Sequence, residues 1–431
     1  MHFKRSSSRA MVLQFSRVIP PQWMAGVVWL ISASFALLQF AMQLSSSSLI
    51  NSLMASFHLG AFGGALLLSS YYYMYALFQV PAGILIDRYG PRRLLTISAI
   101  VCVLASYLFA TAHSVWIALI ARIILGGSFA FAFVGSLALI SRWFPARLFS
   151  LIVSIAETMG MLGAALGGVF LVSVVHHFGW RGAAYGFGMV AALLSVFLWI
   201  FVRDAPLAYM RRRPRLNLEL KTIMAELGQA LKRPIVWLNG LYSGLMFSVV
   251  NVFVSLWALN FFVISDHMAP IQASMVANMA FIGVALGCPF ISYLDRLGQH
   301  RRYILIYCPL LCMLIFACVL FKPMSPILVG GLMLLLGVVC SSYMIPFTIA
   351  NELSSSNNKA AMIGFVNTLS VCAAPIFQPL VGLLLHVFHH SPMTAYTAFD
   401  YHAALSILFA VYLLAFFIAC VLSRLLHAKD S

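Results

Sequence analysis

Apolar residues run in long blocks along almost the whole chain, broken by short polar or charged stretches. The blocks fall at residues 23–44, 61–86, 94–112, 115–140, 148–175, a sixth ending near Val202, then 235–262, 270–294, 303–321, 326–350, 360–386 and 401–426. A helix needs ~20 apolar residues to cross the hydrocarbon core of a bilayer. The pattern therefore predicts an all-α integral membrane fold with twelve transmembrane helices. A polar loop, Ser45 to Leu59, is expected between the first two spans. The longest interruption, 203–234, is basic. It divides the chain into a first half, 23–202, and a second half, 235–426, with tails 1–22 and 427–431. Its Leu216–Leu231 part fits an amphipathic helix on the membrane surface and a plain basic tether equally well.

Composition agrees with the pattern. The 431 residues are 63% hydrophobic and 8% charged, against about 25% charged in soluble domains. The net charge of +16 would suit a nucleic-acid partner, but its distribution argues otherwise. Of the 26 Lys and Arg, 23 fall in the termini and the even-numbered loops; Arg181 and Lys322 lie in odd-numbered loops and Arg122 within a span. This asymmetry places both termini in the cytoplasm by the positive-inside rule. The basic segment to Gln22 leads into a full-length span, expected to act as its own insertion signal. The eight cysteines form no CxxC pair, so neither a disulfide framework nor a zinc site is indicated.

The loop between spans 2 and 3 reads Gly83-Ile-Leu-Ile-Asp87-Arg88-Tyr-Gly90-Pro-Arg92-Arg93. Asp295-Arg296-Leu-Gly298-Gln-His-Arg301-Arg302 repeats it 208 positions later, with Asp, Arg, Gly and Arg in register. In this copy Ile291 stands for the leading glycine and His300 for Arg92. A repeat of half the chain is the mark of two homologous bundles. The first loop resembles the G-x-x-x-D-R-x-G-x-R-R loop of the major facilitator superfamily. Arg122-Ile-Ile-Leu-Gly126-Gly127 is similar to that family's fourth-helix R-x-x-x-G-x-G, with the second glycine displaced. Gly160, Gly163, Gly167 and Gly168 resemble its antiporter motif, with Ala164 in place of the proline. Phe178-Gly179-Trp180-Arg181 and Val202-Arg203-Asp204-Ala205-Pro206 also look like family punctuation, so the resemblance covers essentially the whole chain. It implies two pseudo-symmetric six-helix bundles around a central cavity, acting by alternating access. It further implies that Gly83, Asp87, Arg88, Gly90, Arg92 and Arg93, with Asp295, Arg296, Gly298 and Arg301, form a cytoplasmic gating latch.

Within the spans, charge and amides are the candidate chemistry. A charge in a span costs roughly 2.5–3.5 kcal/mol on insertion scales and is a functional candidate by default. Arg122 is therefore assigned to substrate binding or proton coupling, and Glu157, the acid deep in span 5, to proton carriage. By depth the two are too far apart to pair directly. Gln39, Gln43, Asn251, Asn260 and Tyr343 are the candidate cavity lining; the bland alternative for each is a hydrogen bond between helices. Tyr72, Tyr75 and Gln79 form a polar-tipped stripe for the cavity or for inter-helix contact. Gly163/Gly167 and Gly283/Gly287 are GxxxG pairs expected to face each other where spans 5 and 8 meet across the halves. Pro375 and Pro379 mark kinks whose freed backbone groups neighbours must satisfy. His176, His177, His386, His389 and His390 would suggest a metal, but without an acid or thiolate cluster no metal site is assigned.

No Walker-type phosphate loop, metal triad or nucleophile elbow is present, so neither direct ATP driving nor enzymatic catalysis is indicated. The reading is a monomeric secondary transporter of the inner membrane. It needs no cofactor and has a small-molecule substrate, the lipid bilayer and protons as partners, but no nucleic acid. Lone Arg122 favours a small polar or charged solute: an amino acid, short peptide or carboxylate. A drug or siderophore exporter is the alternative within transport. Two other classes stay open: a channel, which would show no saturation and no counterflow, and a membrane receptor or enzyme, which needs a soluble domain or catalytic cluster not visible in the sequence.

Overall fold

The computed structural model describes residues 22–44, 46–204, 225, 228–296, 301–322, 324–353, 359–389 and 396–430. For some helical residues, Asp87 and Arg296 among them, it describes the backbone alone. The described residues are helical, with short turns between the helices and no strand.

Among the described residues ten helices are long and apolar enough to cross a membrane, and the bent pair Ile50–Phe57 and Ala61–Ile86 makes an eleventh span. One of the ten, Ile155–Phe201, has 47 residues. That is ~70 Å of helix, over twice the hydrocarbon thickness. Gly179 breaks it, with φ 68° and ψ 175°, a backbone conformation that glycine adopts freely. Divided there, the described residues form twelve spans. They are α1 (Gln22–Leu44), α2 (Ala61–Tyr89), α3 (Pro91–Ala110), α4 (Val115–Trp143), α5 (residues 146–178) and α6 (residues 180–201). The second half holds α7 (Pro234–Ser265), α8 (Pro270–Arg296), α9 (Arg301–Phe321), α10 (Pro326–Ala350), α11 (Lys359–Phe388) and α12 (Ala398–Leu426).

Local chemistry sets the boundaries. Gly90, at φ 87°, ends α2, and Pro91 opens α3 at the position where its missing N–H costs nothing. Ser114 caps α4 by accepting from the Trp116 N–H at 3.3 Å. Thr397 and Asp400 form a reciprocal capping box on α12. Large apolar side chains also cover the outside, among them Ile327 at 89% and Trp116 at 71% exposure. In water such a surface would aggregate; in lipid it is the expected face.

The halves meet along two seams, α2 with α11 and α5 with α8. Both use the same device. Pro379 supplies no N–H to the carbonyl four residues back, that of Pro375, and Tyr73 on α2 donates its hydroxyl to it at 3.1 Å. Pro289 likewise frees the carbonyl of Ala285, which accepts from Thr158 Oγ1 on α5 at 3.3 Å. Carbonyls that prolines leave free in one half are thus satisfied by hydroxyls from the other.

Two sequence expectations are corrected. The segment from Ser45 to Leu59 is not a plain polar loop; it holds a 3₁₀ turn, Ser46–Ser48, and a helix, Ile50–Phe57, bent 117° from α2. Ile50 and Leu53, three apart, are buried on one face, and that burial folds the segment. The GxxxG faces do not oppose one another. Gly283 and Gly287 lie against the Leu334 and Val338 backbone of α10, inside their own half, and Gly163 lies against Leu37 of α1. Close approach is needed most within each half, where helices cross tightly; α5 and α8 meet instead through Gly168 and Asn278.

Candidate functional site

Arg122 lies wholly buried on α4, seven residues from the helix start, ~10 Å in from that end. Its Nη2 donates to the Leu68 carbonyl of α2 at 2.9 Å. Its guanidinium carbon is 5.4 Å from the Tyr71 ring centre and 5.9 Å from that of Phe109. No acid pairs with it among the described residues, and its Nε and Nη1 have no hydrogen-bond partner. A buried guanidinium with one of three nitrogens satisfied is electrostatically incomplete.

Tyr72 follows Tyr71 on α2 and points to the second half. Its hydroxyl donates to the Gln43 carbonyl at 3.1 Å, with Ser255 and Gln378 beside it. Gln378, on α11 between Pro375 and Pro379, donates to the Asn251 carbonyl at 2.7 Å and to Ser255 Oγ at 3.1 Å. Here α7 is π-helical, Val249–Trp257, a local widening that often marks functional sites. Asn251 donates to the Ser370 carbonyl at 3.3 Å, and Gln39 pairs with Gln43 on α1. Three amide oxygens, Gln39 Oε1, Asn251 Oδ1 and Gln378 Oε1, are buried without a partner. Buried polar atoms are normally bonded, so this concentration of unsatisfied groups near the meeting of the halves marks a candidate ligand site.

Deeper along the seams, Tyr343 on α10 donates to Glu157 Oε1 on α5 at 3.1 Å, across the halves. Phe247 stacks on the Tyr343 ring at 4.3 Å and fixes it. Asn367 donates to Gln79 Oε1 at 3.0 Å, joining α11 to α2. Arg122 and Glu157 thus engage different partners. Asn260, expected in the cavity, exchanges amide hydrogen bonds of 2.7 Å with Asn51, outside the central amides. That clasp lies at the end of the bundle opposite the Asp87–Arg93 loop. At the same end the Ala61 N–H donates to Tyr396 Oη at 3.3 Å. Both contacts tie one half to the other.

The described members of the expected latch bond within their own halves. Arg92 N–H donates to Asp204 Oδ1 at 2.8 Å, and its guanidinium stacks on Trp199 at 4.4 Å. A Cβ on Gly90 would stand 2.7 Å from the Asp204 carboxylate, so this loop needs glycine for approach as well as for φ. Gly83 faces Val134, and Arg88 and Arg93 are exposed. In the second copy Arg301 bridges Asp295 at 2.7 Å and Glu352 at 2.7 Å, joining α8, α9 and the end of α10. Gly298 and the side chains of Asp87 and Arg296 lie outside the described residues.

His389 does have an acid beside it, Asp400 at 2.9 Å, contrary to the expectation. The acid sits eleven residues on in the sequence, in the cap of the next helix, where residue spacing alone does not point to it. Among the described residues no three His, Cys, Asp or Glu side chains converge for a metal. Sequence reasoning also missed Asn51, Ser255, Gln378, Tyr73 and Thr158 as cross-half partners. For the last two a signal existed: a proline four residues beyond each accepting carbonyl.

The sequence matches the Major Facilitator Superfamily profile over residues 30–379. The chain belongs to the Major Facilitator Superfamily. Members of this superfamily are membrane transporters and not enzymes. One relative, the hexuronate transporter of Bacillus subtilis, is 22% identical over 341 residues, 74% of this chain and 78% of its own. A probable sulfoacetate transporter of Cupriavidus necator is 26% identical over 172 residues, 40% of each chain. The chain spans 33% and 40% of the length of two curated relatives that it matches. A bacterial homologue of the human lysosomal transporter Spinster, inward-facing and unoccupied, superposes with a TM-score of 0.74 at 14% identity, over 93% of this chain and 97% of that one. This superfamily fold thus extends over nearly the whole molecule.

Proposed function

We propose that this superfamily member moves small organic anions across the inner membrane by alternating access, with its Arg-rich end in the cytoplasm. The observation that carries the reading is Arg122: a buried guanidinium, unpaired with any described acid, with two nitrogens lacking partners. A carboxylate or sulfonate would complete it by charge-assisted hydrogen bonds. The unsatisfied oxygens of Gln39, Asn251 and Gln378 would accept from donor groups on the rest of the solute. Gln43 positions Gln39. Relatives named for hexuronate and for sulfoacetate support an anionic solute. Glu157, held by Tyr343, is the proposed proton carrier, and the Asn51–Asn260 clasp is the proposed closure opposite the Gly83–Arg93 and Asp295–Arg301 latches.

Counterflow in proteoliposomes tests the substrate class. Labelled hexuronate and sulfoacetate are the probes, with a neutral hexose as control. Saturable exchange of an anion, absent for the hexose, is expected. Arg122→Gln should lower it by about tenfold or more, since charged hydrogen bonds contribute about 1.5–3 kcal/mol. Equal exchange of the hexose, or an unchanged Arg122→Gln, would sink the anion reading.

A further inference from the structure

A cavity of about 300 Å³ opens on the lipid-facing side of the first half, between α2, α3 and α4. It is separate from the polar groups between the halves. We propose that it is a lipid site: it seats one acyl chain of an anionic phospholipid, whose phosphate pairs with Arg93.

The lining excludes a polar solute. Its surface is almost wholly apolar, with Met74 and Phe78 on α2, Ile97 and Val101 on α3 and Phe131 on α4. Its two serines are already occupied. Ser98 donates to the Ser128 carbonyl at 2.6 Å, and Ser128 to the Ile124 carbonyl at 2.8 Å. Nothing in the groove offers a free hydrogen-bonding side chain, so what it gains from an occupant is apolar burial.

Register and depth choose the occupant. Leu94, Ile97, Ser98 and Val101 form one stripe of α3 at i, i+3, i+4 and i+7. Arg93 lies one turn before Ile97 on the same stripe. It is exposed, and makes no ion pair among the described residues. From Arg93 to Val101 the groove rises ~12 Å, most of one leaflet's ~15 Å of hydrocarbon. It therefore starts at headgroup level beside the exposed Arg93 and ends near the bilayer centre. An acyl chain entering from that leaflet fits this shape, and an anionic headgroup fits the cation. Chain and phosphate belong to one molecule, so free phosphate alone is not expected to bind.

Gly127 on α4 supplies the test, because a Cβ there meets only Met74, at 3.7 Å. Gly127→Leu should fill the groove without disturbing helix packing; Val101→Phe fills it independently from α3. The full-length chain is reconstituted in nanodiscs of equal phosphatidylglycerol and phosphatidylcholine, extracted into mild detergent and washed. Lipid retained per chain is then measured by mass spectrometry. Wild type should retain phosphatidylglycerol preferentially. Each filling variant should lower that retention by about tenfold, having lost the buried chain. Arg93→Gln should still retain lipid, but with the two headgroups near their bulk ratio. The proposal is overturned if wild type shows no headgroup preference, or if both filling variants retain lipid as wild type does. It is also overturned if a hydrophobic dye, and not lipid, is the species that both variants displace.

Discussion

At the residue scale, Arg122 and Glu157, both buried within the spans of the first half, have different surroundings. Arg122 is surrounded by aromatic faces and one carbonyl; Glu157 is anchored to the opposite half by Tyr343. A carboxylate that changes hands between protonated and charged forms alters its bond to Tyr343, and so alters the tie between the halves. This is the linkage a proton-driven cycle requires. Glu157→Gln keeps an acceptor for the tyrosine but cannot release a proton. It should abolish uphill accumulation, which one coupled proton can drive by on the order of tens-fold per 100 mV. Counterflow, which needs only solute movement, should survive. Accumulation that persists in Glu157→Gln with unchanged pH dependence would end the proton role. Tyr343→Phe should act in the same direction more weakly, because the charge remains and only its tether is lost.

At the element scale, the seams are stitched at carbonyls that prolines leave free. The Tyr73–Pro375 bond exists because Pro379 cannot donate to that carbonyl. Hydrogen bonds between membrane helices average about 0.6 kcal/mol and reach about 1.7. Tyr73→Phe should cost about that much stability, measured by thermal unfolding in detergent. In a Pro379→Ala background the restored N–H takes the carbonyl, so the same change should cost little. Equal losses in both backgrounds would refute the pairing. The pattern also explains what the sequence made legible. Twelve apolar blocks, the half-chain repeat and the prolines are all readable in one dimension, and they mark the spans, the repeat and the carbonyls left without an N–H. Facing directions were not local. Gly283 and Gly287 had the right spacing for a seam, yet they turn towards α10, because only three-dimensional packing decides which neighbour a glycine face meets. The partner of Asn260 is hidden for the same reason: Asn51 lies in a segment whose polar composition conceals a buried helix face.

At the scale of the whole molecule, two asymmetries define a direction. The first is charge: in the sequence 23 of the 26 Lys and Arg fall in the termini and even-numbered loops, so reporters fused after Arg213 and Lys359 should read cytoplasmic, and fusions at Asp266 and His390 external. An external signal after Arg213 would overturn the orientation. The second is closure. Asn51 with Asn260, and Ala61 with Tyr396, hold the halves together at the end away from that charge. These bonds can form only while that end is shut, so they would stabilise one side of the proposed alternating cycle and not the other. Tyr396 in turn is packed by His389, ring centres 4.9 Å apart, which Asp400 holds. Removing the clasp must therefore shift the population, not merely lower stability. Each hydrogen bond contributes about 0.5–1.5 kcal/mol net, so losing the amide pair should favour opening by about five- to a hundred-fold. Spin labels at Ala55→Cys and Ala269→Cys, both at exposed positions, would report the separation at this end. With native cysteines replaced, Asn260→Ala should move the distance distribution to longer values, and Tyr396→Phe should add to the shift. A distribution that stays put in the double variant would mean that the clasp follows closure instead of holding it.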